Sequence, residues 1–376
     1  MTDPLFKSRD FRLLLLIGLL WGSSSSQMTL FAVVLHAHGM GDRLISEMVT
    51  AFALGLIIGT MASGWLIARA GARATLLLAL LSALAITVGL PLSGFQPATI
   101  IGLNFCRGVA FGLVLPPGFV IVQGLAAEFP GSDRVRAVGL FNACFLLPLL
   151  YGPALGEWAW GGWGDGWFFT TVLLPLLAAT LLGLAMPPSE AAGGSAQGYL
   201  SLLLDRRIWP PALAMMASGI GYACVVNFAA LLVRPAGVFF APFAIPLLLR
   251  LTRLERHPRL MLLGLGLGAY VVGFLTLLIG FPPLSGLAFG FAYAVVGPTA
   301  ITWASAPYTD AAARARPVAL VTLAFNLGTI VTAQLVGTVV PFAGWSGILL
   351  LLAAIAAAAG LVIVIGPAGR RAEQIS

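Results

Sequence analysis

Charged residues are scarce in this sequence. Lys, Arg, Asp and Glu make up 9% of the 376 residues, and 60% of the residues are hydrophobic. A soluble globular protein has about 25% charged residues, so this scarcity excludes a soluble fold and predicts an all-α membrane protein that crosses the bilayer many times. The net charge of +7 does not indicate a nucleic-acid partner, because the basic residues lie in short loops between apolar runs.

Cysteine and the residues of reactive sites are also rare. The three cysteines, Cys106, Cys144 and Cys224, are scattered inside apolar runs, which excludes a disulfide framework and argues against a metal site. We interpret them as small apolar packing residues. The sequence holds no catalytic triad, metal-ligand cluster or phosphate-binding loop. We therefore expect no enzyme activity, no cofactor, no metal and no nucleotide.

Long apolar runs are abundant. A helix needs about 20 apolar residues to cross a bilayer, and the sequence offers twelve such runs, six on either side of a polar link. We expect an N-terminal half of residues 1–186, a cytoplasmic linker of residues 187–208 and a C-terminal half of residues 209–376. The predicted spans are 12–35, 45–67, 74–94, 98–126, 137–158, 167–186, 209–232, 235–252, 260–280, 283–306, 317–339 and 345–366.

Arginine and lysine indicate the orientation of these spans. With a cytoplasmic N-terminus, only Arg43 and Arg234 flank the outer face, and the other loop arginines and the lysine lie at the inner face. Such asymmetry is typical of cytoplasmic loops and predicts that both termini are cytoplasmic. The region 209–252 must hold two crossings joined by a tight turn at Arg234-Pro235, which leaves open whether one of them is partly re-entrant.

Three short motifs occur twice, at nearly constant separation, and duplication of this kind is typical of transporter folds. The sequence therefore predicts two related halves. The pairs are Arg134-Val-Arg136 with Arg314-Ala-Arg316, Ala110-Phe-Gly112 with Ala288-Phe-Gly290, and Gly166-Trp167 with Gly344-Trp345.

Polar residues interrupt several predicted spans, and Arg107 is the most informative. A charge inside a span costs about 2.5–3.5 kcal/mol on insertion scales and is a functional-site hypothesis by default. Asn104 lies one helical turn before Arg107 and is placed to orient it. Two interpretations stay open. Arg107 is a structural pin held by backbone carbonyls, water or the serines of 23–26, or it binds a carboxylate of a substrate.

Further polar residues inside spans are candidates for a cavity lining, with hydrogen bonding between helices as the alternative. Pro116-Pro117-Gly118 is expected to break the span that holds Arg107. The lining candidates are Ser26, Gln27, Asn104, Arg107, Tyr222, Asn227, Tyr293 and Trp303.

Local motifs resemble those of the major facilitator superfamily. The stretch Gly64-Trp-Leu-Ile-Ala-Arg69-Ala-Gly71-Ala-Arg73 resembles that family's loop between its second and third helices, with Ala68 in place of an aspartate. Arg107 and the glycines after it resemble the fourth-helix motif. The resemblance implies that Gly64, Arg69, Gly71 and Arg73 serve conformational change.

The fifth-helix motif of that family's exporters is similar to the stretch from Pro148 to Glu157. It contains the conformational candidates Gly152, Pro153 and Gly156. The stretches at 236–240 and 257–261 resemble bacterial exporters of metal-chelating metabolites, of the staphylopine type. The resemblance therefore implies export of a small organic metabolite, either a siderophore or metallophore or a drug-like compound.

The resemblance also implies the twelve-helix major facilitator fold, with spans one, four, seven and ten around a central cavity. It implies a monomeric, multi-pass secondary transporter of the bacterial inner membrane that works by alternating access. The expected partners are the lipid bilayer, a small-molecule substrate and protons. The alternatives are an importer or facilitator of the same fold and a membrane scaffold without transport, which Ala68 suggests.

Acidic residues are missing from the centres of the predicted spans. Glu47 and Glu157 come nearest to those centres, both toward the outer face. Glu157 is therefore the candidate for coupling transport to protons. The alternative is an interfacial acid exposed to water, which costs little there.

Overall fold

The computed structural model describes residues 4–128, 134–187, 207–249, 258–306 and 311–365. These residues form α-helices with short 3-10 turns and contain no β-strand. The predicted all-α fold is confirmed. The helices are α1 (Arg9–Gln27), α2 (Phe31–Ala37), α3 (Asp42–Leu92), α4 (Pro97–Gly112), α5 (Leu115–Glu128), α6 (Arg134–Leu146), α7 (Gly152–Trp163), α8 (Asp165–Leu184), α9 (Trp209–Leu232), α10 (Gly237–Leu249), α11 (Arg259–Leu278), α12 (Pro282–Ser305) and α13 (Ala311–Ile365).

Nine continuous helical stretches in the described residues are long and apolar enough to cross a membrane. Two of them are double length, because α3 has 51 residues and α13 has 55. At about 1.5 Å per residue, each is far longer than the roughly 30 Å hydrocarbon core. Gly71 (φ 82°) breaks α3 and Gly344 (φ 64°) breaks α13. With the shorter α10, the helices are consistent with the twelve predicted spans.

The predicted break in the fourth span is displaced by a few residues. α4 ends at Gly112 and α5 begins at Leu115, so the turn lies at 113–114 rather than at Pro116-Pro117-Gly118. Both prolines occupy the first turn of α5, where the missing N–H has no intrahelical acceptor to lose. The prolines therefore start the second helix and do not interrupt the first.

The chain forms two compact units. The first contains residues 1–40 and 51–196, and the second contains residues 41–50 and 197–376. Most of the predicted linker, residues 188–206, lies outside the described part of the chain. Residues 250–257 also lie outside it, and they include the first residue of the stretch 257–261 that resembles exporters. The tight turn expected near Arg234 is present at 233–236, between α9 and α10.

Glycines bring α4 against α3 in the first unit. A Cβ atom added at Gly108 would overlap the carbonyl oxygen of Phe52, and one added at Gly112 would meet the Leu56 carbonyl oxygen. Because neither glycine has a side chain, the two helix backbones approach closely, as small residues allow in membrane proteins. This contact sets which residues of α3 face Arg107.

The second unit repeats this contact between α12 and α10. A Cβ at Gly286 would overlap the Phe239 carbonyl oxygen, and one at Gly290 would overlap the Phe243 carbonyl oxygen. Gly290 belongs to the Ala288-Phe-Gly290 motif that duplicates Ala110-Phe-Gly112. The duplicated motif therefore encodes the same glycine-mediated helix packing in each unit.

A second pair of glycines follows the same rule. The Cβ position of Gly22 on α1 coincides with the carbonyl oxygen of Phe145 on α6, and that of Gly219 on α9 with the carbonyl oxygen of Phe325 on α13. Each unit thus joins the first predicted span of its half to the fifth through one glycine. The two units are structural repeats at the level of individual backbone contacts.

Candidate functional site

The loop that resembles the family motif turns at Gly71, whose positive φ of 82° favours glycine over residues with a Cβ atom. Gly64 lies inside the helix before the turn, with open space around it. The Arg69 guanidinium lies 4.3 Å from the centre of the Trp65 ring. The Nη2 atom of Arg73 donates a 2.7 Å hydrogen bond to the carbonyl oxygen of Leu184, which is the last residue of α8. Arg73 therefore satisfies a free carbonyl at a helix C-terminus.

The exporter-like motif packs against the first span. A Cβ at Gly152 would overlap the Ser26 hydroxyl, and one at Gly156 would lie 3.5 Å from Gln27 Cβ. Pro153 is buried between these two glycines. The structure therefore brings together two sets of predicted residues, the glycines of α7 and the polar end of α1.

Ser26 and Gln27 are both buried. The Ser26 hydroxyl donates to the Ser23 carbonyl oxygen at 3.1 Å. The Gln27 amide nitrogen donates to the carbonyl oxygens of Ser23 and Thr171, each at 3.0 Å. These bonds place the Gln27 side chain between α1 and α8, whereas its Oε1 atom is buried and accepts no hydrogen bond from the described residues.

The Arg107 guanidinium lies over two aromatic rings. Its Cζ atom is 4.9 Å from the centre of the Phe52 ring and 5.7 Å from that of Phe31. No carboxylate or hydrogen-bond acceptor of the described residues contacts it, and its Nη1 atom is buried without a partner. The side chain as a whole is only partly buried. Aromatic faces attract a cation, but they leave its hydrogen-bond donors unused.

Two of the serine partners proposed for Arg107, Ser23 and Ser26, are engaged elsewhere. The Ser23 hydroxyl bonds to the Leu19 carbonyl oxygen at 2.8 Å and to the Tyr151 hydroxyl at 2.6 Å. Ser26 bonds to backbone within α1. A serine side chain in a helix reaches the carbonyl of the preceding turn easily, which explains why these hydroxyls do not reach Arg107.

Asn104 does not orient Arg107 as the sequence suggested. Its amide nitrogen donates to the Ile100 carbonyl oxygen at 3.0 Å, and its Oδ1 atom is buried with no partner among the described residues. Phe111, which helical spacing places on the same face, does pack there, with its ring centre 5.8 Å from that of Phe52. Sequence reasoning missed Phe31 and Phe52, because both belong to other helices.

The repeat in the second unit provides an internal comparison for Arg107. Arg107 precedes Gly108, and Ser285 precedes the equivalent Gly286. The Phe239 and Phe289 rings of the second unit are 6.1 Å apart, like those of Phe52 and Phe111. The Ser285 hydroxyl is buried and donates to the Gly273 carbonyl oxygen at 2.8 Å. This helix pair therefore packs without a cation.

The lining candidates of the second unit include a tyrosine stack. The rings of Tyr222 and Tyr293 are 4.8 Å apart and inclined by 24°, and Phe325 lies 5.4 Å from Tyr222. The Asn227 amide nitrogen donates to the Ala223 carbonyl oxygen at 3.1 Å. Trp303 is buried near the end of α12. The structure thus joins the two tyrosines and holds Asn227 within its own helix.

Glu157 is half-buried on α7, next to Gly156. It lies close to the contact with α1 but is not a partner of Arg107. Among the described residues no group of three or more His, Cys, Asp or Glu side chains is arranged to hold a metal ion.

Comparison with known proteins identifies relatives of this fold. Residues 13–238 match the family model described as Major Facilitator Superfamily, which is more than half of the chain. No curated protein sequence matches. Solved structures that are similar include a mutant of the nucleoside transporter NupG, with 13% identity, a TM-score of 0.76, and 94% of this chain and 98% of that chain covered.

Two further structures are similar over nearly their whole length. The inward-open xylose transporter XylE from E. coli has 17% identity and a TM-score of 0.73, with 95% of each chain covered. An auto-inhibited peptide transporter of the POT family has 15% identity and a TM-score of 0.73, with 97% of each chain covered. At these identities the similarity is one of fold.

Proposed function

The chain belongs to the Major Facilitator Superfamily, and we propose that it is a secondary active transporter that carries a small organic metabolite across the membrane by alternating access. Its fold is that of membrane transporters rather than enzymes. The observation that carries the proposal is Arg107, a cation inside a membrane-spanning helix whose buried Nη1 atom has no hydrogen-bond partner among the described residues.

A membrane scaffold without transport does not require a cation inside a span. Keeping a charge inside a span costs about 2.5–3.5 kcal/mol on insertion scales. The equivalent helix pair of the second unit packs with Ser285 instead, whose hydroxyl is satisfied within the unit. Packing therefore does not require Arg107. A polar solute that binds to the guanidinium provides the missing partner and is the reason for retaining it.

We propose export as the direction, on the resemblance of the Gly152-Pro153-x-x-Gly156 motif to that of exporters. The glycines of this motif pack against the side chains of Ser26 and Gln27. A change in the angle of α7 would therefore be transmitted directly to α1. Import is the second candidate, since the similar structures include a D-xylose-proton symporter. Proton coupling through Glu157 is part of the proposal.

We place the protein in a bacterial inner membrane as a monomer with both termini in the cytoplasm. Reporter fusions test the orientation. A fusion at Ala312 is expected to report the cytoplasm, and fusions at Gly164 and Ala343 the outside. The opposite result at any of the three would overturn this topology.

Metabolite profiling of a deletion strain tests the transport function. Loss of an exporter raises the concentration of its substrate inside the cell and lowers it outside, whereas loss of an importer does the reverse. The wild-type gene is expected to restore the distribution. If no metabolite changes its distribution, the protein is not a transporter under these conditions of growth and the scaffold interpretation replaces the proposal.

Arg107→Ser is the variant that links this result to the site. It copies Ser285, so it is expected to insert and accumulate like the wild type, yet to leave the metabolite distribution unrestored. Ser285→Ala is the matched control and should restore it. An Arg107→Ser protein that accumulates and transports normally would exclude Arg107 from the binding site.

A further inference from the structure

Two unsatisfied polar atoms of opposite kind lie one helical turn apart on α4. Arg107 Nη1 is a buried donor without an acceptor, and Asn104 Oδ1 is a buried acceptor without a donor among the described residues. The amide orientation of Asn104 is set by the bond from its nitrogen to the Ile100 carbonyl oxygen, so Oδ1 is the free atom. Buried polar groups are nearly always paired, and an unpaired group in a low-dielectric setting is costly.

We propose that the substrate is a carboxylate with a hydrogen-bond donor on the adjacent carbon, that is, a 2-hydroxy or 2-amino acid. The carboxylate accepts hydrogen bonds from the Arg107 guanidinium, and the hydroxyl or amino group donates to Asn104 Oδ1. This inference rests on the proposed transport function and adds the chemical class of the substrate.

The spacing on the helix fits such a ligand. Side chains three residues apart on a helix are neighbours, with Cβ atoms about 5–6 Å apart, and a carboxylate and its 2-substituent can meet both at once. Because Asn104 Oδ1 can only accept, it selects for a donor. A simple carboxylate would satisfy Arg107 and leave Asn104 facing an oxygen or an apolar carbon, so the second bond discriminates between the two kinds of acid.

The surroundings favour an apolar body on this ligand. The rings of Phe31 and Phe52 flank the guanidinium, and Phe111 packs on Phe52. Aromatic side chains of a ligand pack well against such rings. We therefore expect aromatic 2-hydroxy or 2-amino acids to be bound more tightly than lactate or alanine.

Binding to the purified full-length protein tests this assignment with four probes that share a phenyl group. Phenyllactate and phenylalanine carry both groups, 3-phenylpropionate lacks the donor, and phenylalaninol lacks the carboxylate. One hydrogen bond to a buried partner corresponds to about tenfold in affinity. We expect at least one of the first two probes to bind about tenfold more tightly than 3-phenylpropionate, and phenylalaninol to bind weakest.

Variants assign the two bonds to their residues. Asn104→Leu is expected to reduce the affinity for phenyllactate and phenylalanine to the level of 3-phenylpropionate. The affinity for 3-phenylpropionate is expected to match that of the wild type. Arg107→Gln is expected to weaken the binding of all three acids. Gly102→Ala, on the same helix and facing open space, is the control and should bind like the wild type.

Three results of the binding experiments would overturn the substrate class: no probe binds, 3-phenylpropionate binds as tightly as phenyllactate and phenylalanine, or the preference survives in Asn104→Leu. Metabolite profiling separates this failure from failure of the proposed function. If the deletion redistributes only neutral or cationic compounds, transport stands and the substrate class is wrong. If nothing is redistributed, transport itself fails.

Discussion

The Nε2 atom of His38 lies 2.7 Å from the Oδ2 atom of Asp165, which joins the end of the first span to the start of α8. The other carboxylate oxygen of Asp165 accepts a 2.9 Å hydrogen bond from Trp160 Nε1. The His38 ring also stacks on Phe95, with 3.9 Å between ring centres, and Phe95 has a positive φ of 56°. A single carboxylate therefore holds three segments of the first unit together.

Removing this carboxylate should destabilise the first unit. Asp165→Ala removes the carboxylate that contacts His38 and Trp160, and we expect the free energy of unfolding to fall by about 1–2 kcal/mol. Thermal unfolding of the purified protein in detergent measures it. Glu47→Ala, which removes the exposed Arg43–Glu47 pair, is the control and should change little, because exposed pairs contribute about 0–1 kcal/mol. Equal effects of the two changes would contradict this account.

Arg107→Lys separates charge from hydrogen-bond geometry. Lysine keeps the positive charge but cannot present two parallel donors to a carboxylate. We expect normal accumulation in the membrane, and a half-saturating substrate concentration raised by about tenfold or more. Transport by proteoliposomes across a range of substrate concentrations measures this shift. Unchanged half-saturation would mean that only the charge of Arg107 matters.

The glycine contact between α3 and α4 should be intolerant of any side chain. Gly108→Ala places a methyl group against the Phe52 carbonyl oxygen, and we expect a loss of stability of about 1–3 kcal/mol from overpacking. Gly102→Ala on the same helix has open space and is expected to be neutral or slightly stabilising. Unfolding temperatures of the two variants, compared with the wild type, show whether the loss of stability comes from the contact with α3 or from replacing any glycine in α4.

The proposed role of Glu157 in proton coupling is tested by removing its charge. If it carries the proton that couples transport, Glu157→Gln removes the titrating group while keeping the shape, and uptake into vesicles no longer responds to an imposed pH gradient. Glu47→Gln is the control, since Glu47 is also acidic but lies in an exposed pair with Arg43, and its response to the pH gradient should match the wild type. A pH response that is unchanged in Glu157→Gln would remove this residue from the coupling mechanism.

The helical architecture was predictable from the sequence to within a few residues. Apolar length and helix-breaking glycines are local properties, so the ninth helix, Trp209–Leu232, was expected at its observed bounds. The same holds for the turn at Gly71. The duplicated Ala-Phe-Gly motif marks equivalent positions in the two units, because Gly112 and Gly290 lie at equivalent helix contacts.

The environment of Arg107 was decided only by the tertiary structure. The sequence identified Arg107, Asn104 and Phe111 as neighbours, since helical periodicity links residues within one helix. It did not identify Phe31 and Phe52, nor that the hydroxyls of Ser23 and Ser26 would bond to carbonyls of their own helix. Those outcomes depend on the register between helices, which is set by glycine contacts between residues far apart in the chain. Apolar runs determined that this protein spans a membrane, and the packing of those runs determined which polar atoms were left without a partner.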